Sequence, residues 1–405
     1  MRNIEVMSMS FEPGAAVSKG TIPLCVPELK GNEWNYVKEC LDTNWVSSAG
    51  PFVSRFEAAV SNYVGAQHAV ATVNGTAALH VALLVAGVQA DDEVLMPALS
   101  FIAPANAVRY TGAWPVFIDV EPDHWQIDPQ KVEEFIDKEC HWRNQELRNR
   151  STGRRVKALL PVDILGHPVD HDALLALARK YDLSVVEDAT ESLGAAYKGR
   201  RLGQHADVVC FSFNGNKIIT TGGGGMIVTQ DSQLADKARY LTTQAKDNPI
   251  EYIHNEVGFN YRLTNIQAAL GCAQMEQLDH FVTIKRDTAR RYAEASADMP
   301  GLSFMKEADW AFSVWWLCTV LVDEDKCGFT RRDLFDALQA EQIQARPLWQ
   351  PLHRSPAQRN SQAYQIETAD RIHRRALSLP SSTGLAAEDL ARVINVIHNR
   401  YEQKT

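Results

Sequence analysis

Lys217 stands in the stretch 210–226, CFSFNGNKIITTGGGGM, and Asp188 closes the apolar run SVVED at 184–188. A lysine amine condenses with an aldehyde to give a Schiff base, and once freed it shuttles a proton between carbons. An aspartate at a strand end keeps a ring nitrogen protonated, which turns the ring into an electron sink. Those are the two groups that pyridoxal phosphate (PLP) chemistry requires. By position alone, a lysine after a strand is a solvated surface residue. The flanks reverse that reading: Asn214, Gly215 and Asn216 are small and polar, and Ile218 and Ile219 are apolar. Partial desolvation beside them favours the neutral amine. Asp188 needs a cationic partner if it is buried. It equally fits a helix N-cap before Ala189, and spacing does not separate the two roles.

Further residues join this pair. Asn74-Gly75-Thr76 follows a strand-like run and opens a helical pattern, where free amides and the helix dipole hold a phosphate or an ordinary cap closes the helix. Ser212, between Phe211 and Phe213, offers a hydroxyl to the same phosphate or to the backbone. Phe101 is placed to stack on a flat ring, or to pack in the core. The glycines at 222–225 lack the spacing of a dinucleotide loop and the Lys-Ser/Thr ending of a P-loop, so a tight turn into a strand at 225–229 explains them. The twelve histidines show no metal-ligand spacing, and no catalytic metal is expected.

These residues must be held by a scaffold, and the pattern supplies one. Strand-like runs at 68–73, 93–97, 115–120, 157–162, 184–188, 207–213 and 225–229 alternate with helical patterns at 77–86, 102–111 and 174–181. Such alternation predicts an α/β domain around a mostly parallel sheet, with ligands outside the carboxyl ends of its strands. The candidate residues all fall at or just after strand ends. From about residue 262 the texture turns helical, with helices expected over 265–280 and 284–296, a strand over 315–322 and a last helix over 387–401. The expected organisation is a tail at 1–20, a large domain at 21–270 and a small α+β domain at 271–405. The segment 141–155, HWRNQELRNRSTGRR, carries five arginines and reads as a solvated excursion.

Bulk properties narrow the function class. The net charge of −9 argues against a general nucleic-acid or anionic-membrane surface. Seven scattered cysteines without a CxxC pair point to a reducing cytoplasm rather than a disulfide scaffold. Neither a signal peptide nor a membrane-spanning run is expected.

Taken together, the motifs NWVSSAGPFVSRFE, VNGTAALHVAL, MPALSFIAPANAV, GAWPVFIDVEP, VVEDATESLGA, FSFNGNKIITTGGGGMIVT and GFNYRLTNIQAALG resemble, in order, the DegT/StrS nucleotide-sugar aminotransferases. The resemblance runs from about Pro23 to the C-terminus and implies the fold-type I architecture of PLP-dependent transferases. By position it implies Lys217 as the Schiff-base lysine, Asp188 at the pyridine nitrogen, and Gly75, Thr76 and Ser212 around the phosphate. Phe101 would stack on the ring, and Asn260, in GFNY, would reach the phosphate in a neighbouring subunit, which implies a homodimer. The window FNGNKIITTGGGG and the arginine-bearing insert resemble the subgroup that aminates C4 of UDP-linked 4-keto-6-deoxy-N-acetylhexosamines with L-glutamate, on routes to bacillosamine and legionaminic acid. Arg262, Arg346 and the loop 44–50 are candidates for the sugar diphosphate, and Trp349 and His353 for the sugar pocket or for packing.

Three positions depart from the family pattern. Glu191 stands where Gln or His usually contacts the ring oxygen, Asp163 where His is frequent, and Gly223 where Glu is frequent. Four rival activities would each leave a different mark in the sequence. A C3 aminotransferase more often carries a Pro-containing motif before the lysine. A PLP-dependent sugar dehydratase has His in place of Lys217. A non-catalytic PLP-binding sensor dimer would show degenerate site positions. An NTPase would need the P-loop that is missing.

Overall fold

The computed structural model describes residues 20–248 and 250–403, so the expected tail, apart from Gly20, lies outside the described residues. At its centre is an eight-stranded sheet. In spatial order its strands are His68–Thr72, Gly225–Thr229, Val208–Ser212, Ser184–Asp188, Val156–Leu159, Glu93–Pro97, Trp114–Ile118 and Gln362–Tyr364. Neighbours pair in parallel except at Gly225–Thr229, which runs antiparallel to both of its partners. Helices cover both faces, so the inner strands are apolar throughout rather than alternating. Every residue of Glu93–Pro97 is buried, and Glu93 is held by Asn149, Thr152 and Arg154.

Chain order and sheet order differ where function concentrates. Val208–Ser212 and Ser184–Asp188 lie side by side and end at the same edge, with Cys210 opposite Asp188. The first crossover helix, Gly75–Val85, begins at that edge too. Its N-cap Asn74 accepts from the Ala77 amide at 2.8 Å, the side-chain closure that lets a helix start abruptly after a strand. Close approach explains the last glycine of the run. A Cβ on Gly225 would fall 2.5 Å from the Asn74 carbonyl oxygen, so only glycine lets this strand pass beneath the cap loop. Gly225→Ala is expected to destabilise the protein by about 1–3 kcal/mol through overpacking. A denaturation midpoint equal to wild type would contradict that account.

The chain from Leu302 onward builds a second, four-stranded antiparallel sheet. Its strands are Leu302–Phe304, Cys318–Val322, Ala376–Leu379 and Arg346–Pro347, flanked by helices Arg331–Ala340 and Ala387–Glu402. The same region returns Gln362–Tyr364 to the edge of the large sheet, parallel to Trp114–Ile118. The expected helices over 265–280 and 284–296 are instead Asn265–Met275 and Leu278–Ala295. The break falls at Glu276 and Gln277, where Glu276 accepts hydrogen bonds from Asn32 at 2.7 Å and from Tyr36 at 2.6 Å. Gly271 lies against the Phe56 ring, and a Cβ would come within 2.6 Å of it.

The arginine-rich segment forms a hairpin, Cys140–Arg143 with Glu146–Asn149, stitched to the sheet rather than simply solvated. Arg155 bonds both oxygens of Asp92 at 2.8 and 2.6 Å, and the guanidinium groups of Arg109 and Arg154 lie 3.7 and 4.3 Å from the centroid of the Trp114 ring. All seven cysteines are free, and among the described residues no helix is long and apolar enough to cross a membrane.

Candidate active site

The strand ends enclose a cavity of about 300 Å³. It is lined by Gly75, Thr76, Phe101, Asp188, Glu191, Ser212 and Lys217, together with Trp316 and Trp349 from the C-terminal region. The structure therefore gathers seven of the eight site residues expected from the sequence. The eighth, Asn260, is exposed and does not line this cavity. It sits in the segment whose Tyr261 carbonyl accepts from the Val73 amide at 2.7 Å, beside the start of the cap loop.

Lys217 follows the strand Val208–Ser212 in a turn closed by its own amide to the Asn214 carbonyl at 3.0 Å. Its ammonium lies 4.1 Å from the centroid of the Trp316 ring and 3.3 Å from Glu191 Oε1. Trp316 is itself fixed, donating from Nε1 to the Asn216 carbonyl at 2.7 Å. The lysine side chain is largely shielded, as nucleophilic chemistry at an amine requires.

Asp188 is 2 % exposed, and burial raises its carboxyl above the ordinary aspartate value, opposed by hydrogen bonding from Thr190 and by the charge of Lys217. The Thr190 amide donates to its Oδ1 at 3.1 Å. Such a carboxylate, facing a cavity, is completed by a cationic N–H. At the other side, a Cβ on Gly75 would come 2.8 Å from Ser212 Cβ, so the helix start and the serine hydroxyl form one tight cradle. The first amides of a helix lack intrahelical acceptors and suit a phosphate.

Glu191 is buried, and burial raises its carboxyl while Lys217 opposes the shift. Its Oε2 accepts from the Leu165 amide at 2.8 Å, which aims Oε1 at Lys217. Leu165 holds a left-handed φ of 59°, unusual for a β-unbranched apolar residue and maintained by this bond. Glu191→Leu would strand the Leu165 amide and is expected to cost about 1–3 kcal/mol. A melting temperature within error of wild type would show that the bond is not needed.

Other candidates separate. Trp349 lines the cavity, 6.4 Å from Phe101 in an edge-on arrangement, whereas His353 is turned toward Asp370 at 3.7 Å. Arg346 is exposed on its edge strand. Arg262 is half-buried, and its Nε makes no hydrogen bond. In the 44–50 loop, the carbonyls of Trp45 and Ser47 accept from Asn265. Trp316 escaped the sequence reading, where it fell at the start of an expected strand; that strand begins at Cys318 instead. A second cavity, about 470 Å³, lies along Leu278–Ala295, where Arg286 is already paired with Glu307.

The model of the DegT/DnrJ/EryC1/StrS aminotransferase family matches residues 27–398. The chain belongs to that family. A GDP-perosamine synthase of Caulobacter vibrioides is 40% identical over 374 residues, covering 92% of this chain and 96% of the relative. EpsN of Bacillus subtilis (strain 168), assigned as a pyridoxal phosphate-dependent aminotransferase, is 38% identical over 380 residues, covering 93% and 95%. Among solved structures, DesI with its TDP-sugar product superposes with a TM-score of 0.85 at 28% identity, covering 96% of this chain and 95% of that one. The protein is thus a PLP-dependent sugar aminotransferase with the fold-type I architecture. The chemistry of the lining fits the cofactor: it offers an amine, a buried carboxylate and a closely packed glycine-serine pair around one cavity.

Proposed function

We propose that the protein moves an amino group from L-glutamate to the C4 carbonyl of a nucleotide-linked 4-keto-6-deoxyhexose. The observation that carries this reading is the single cavity in which Lys217, Asp188 and the Gly75–Ser212 cradle face one another. Bound PLP supplies the electron sink for both half-reactions. Lys217 holds the cofactor and then moves a proton at the carbon that loses or gains the amine. Asp188 keeps a proton on the pyridine nitrogen. The amides of Gly75 and Thr76 and the Ser212 hydroxyl bind the phosphate, and Phe101 covers the ring. Trp316 lies over Lys217 and excludes water from it. Asn260, exposed in one chain, reaches the phosphate across a homodimer interface.

Attack at C4 is supported by the FNGNKIITTGGGG window and by relatives named as GDP-perosamine synthases at 40% and 36% identity. The nucleotide divides two readings. The window and insert favour a UDP-linked N-acetylhexosamine, and those relatives favour a GDP-linked sugar. Arg262, with its unbonded Nε, is the first candidate for the diphosphate. Incubating the enzyme and L-glutamate with UDP- and GDP-linked 4-keto-6-deoxy sugars and a 3-keto sugar, with NMR of the products, separates these arms. Amination of the 3-keto sugar alone would overturn the C4 reading.

A further inference from the structure

Behind the catalytic strand lies a second group of polar side chains that the site does not use. Side chains alternate along Ser184–Asp188, so Asp188 faces the cofactor cavity and Glu187 faces the opposite side of the sheet. There it meets Asp163, from the 161–163 segment, and His171, from the first turn of helix His171–Tyr181. One ligating atom from each lies within 4.8 Å of the others, and the three residues are at most 2 % exposed. Asp163 Oδ1 accepts from the Val169 amide at 2.9 Å. Asp163 Oδ2, both Glu187 oxygens and His171 Nε2 have no hydrogen-bond partner as drawn, although His171 Nε2 lies 3.4 Å from Glu187 Oε1.

Two adjacent carboxylates buried without a lysine or arginine cannot both stay ionised. One proton resolves the arrangement. Placed between Asp163 Oδ2 and a Glu187 oxygen, it makes a carboxylic acid–carboxylate hydrogen bond. The Nε2–H tautomer of neutral His171 then donates to the other Glu187 oxygen, and all four unsatisfied atoms are paired. We propose that Asp163 and Glu187 share a single proton, with His171 as neutral donor, and that this lock positions the strand end that carries Asp188. The link is direct: the Asp163 amide donates to the Asp188 carbonyl at 3.0 Å, and the Asp188 amide donates to the Pro161 carbonyl at 2.9 Å.

The surrounding charges agree. Burial, the largest cause, pushes both Asp163 and Glu187 up and pushes His171 down; the charge of Glu187 adds to the rise at Asp163, whereas hydrogen bonding with Asp163 opposes the rise at Glu187 and the charge of Asp188 adds to it. The titratable and charged groups around the cluster are Asp188, next along the strand but on its other face, Asp170 and Asp172 beside His171, Tyr197 against the His171 ring, and Arg200 and His205 beyond it. The two rings of His171 and His205 lie 4.5 Å apart, and burial pushes His205 down to about 4, so it brings no cation at neutral pH. The role in positioning Asp188 rests on the reading of Asp188 given above; the shared proton does not.

A raised native carboxyl takes up a proton on folding. Its contribution to stability is complete below the unfolded value of about 4 and is lost as pH rises toward the raised native value. The test is the pH dependence of unfolding of the full chain over that window. Asp163→Asn and Glu187→Gln each replace the O–H donor by an N–H donor. Neutral buried His171 contributes the opposite slope below its unfolded value of about 6.5, so each single variant is expected to shift the slope of stability against pH upward by about one proton, and the double variant by no more than either single. Asp163→Ala, which removes the partner outright, is expected to melt lower than Asp163→Asn. An unchanged slope in whichever amide variant folds would overturn the proposal, as would two protons lost in the double variant. A stoichiometric divalent cation found by elemental analysis of protein purified without chelators would also overturn it, since the cluster would then be a metal site.

Discussion

Replacing Lys217 by alanine is expected to lower turnover by at least ~10²–10⁴-fold, the range a positioned acid–base group supplies, with further loss from the missing covalent link. The protein should remain folded, because the lysine makes one contact to Glu191 and one to the Trp316 ring and anchors no secondary structure. Wild-type protein should be yellow and lose its visible band when L-glutamate is added. Borohydride reduction followed by peptide mapping should place the cofactor on Lys217. An adduct on any other lysine, or a Lys217→Ala enzyme that still transaminates at the normal rate, would remove the basis of the assignment.

Asp188→Asn is the second large effect. A buried carboxylate paired with a cationic N–H is worth about 3–5 kcal/mol when one partner is lost, which corresponds to roughly 10²–10⁴-fold in rate. The amide retains the shape and the bond from Thr190 but cannot keep the ring nitrogen protonated. The loss is therefore expected in kcat rather than in cofactor affinity, because the phosphate cradle of Gly75, Thr76 and Ser212 is untouched. Equal rates in the two proteins, with cofactor saturating, would rule out the electron-sink role.

Most of the site was legible in the chain because its residues sit where strands stop. A strand end followed by a polar turn is a local pattern, and Asn74, Asp188 and Ser212 each carry it within a few neighbours. The strand bounds at 93–97, 184–188 and 225–229 match the expectation, since buried parallel strands read as short apolar runs bounded by turn residues. The helix break at Glu276 and Gln277 was not legible. No glycine or proline marks it; Glu276 is held by Asn32 and Tyr36, which are distant in sequence, and a new helix starts at Leu278. The strand Gln362–Tyr364 was missed as well, being three residues long and recognisable as strand through its pairing with Trp114–Ile118.

What the amino-acid order determined by itself was chemical identity: an amine, an acid and a glycine-serine pair at the ends of alternating strands, and with them the family. Those features are local, so neighbours in sequence specify them. What only the tertiary structure decided was company. Trp316, a hundred residues from Lys217 in sequence, lies over its amine, and Glu191 is aimed at that amine by the amide of Leu165. Asp163 and His171 meet Glu187 on the reverse of the sheet that presents Asp188. Such contacts depend on which strands become neighbours and which face each residue takes. That follows from burying the whole sheet at once, and no window of sequence contains it.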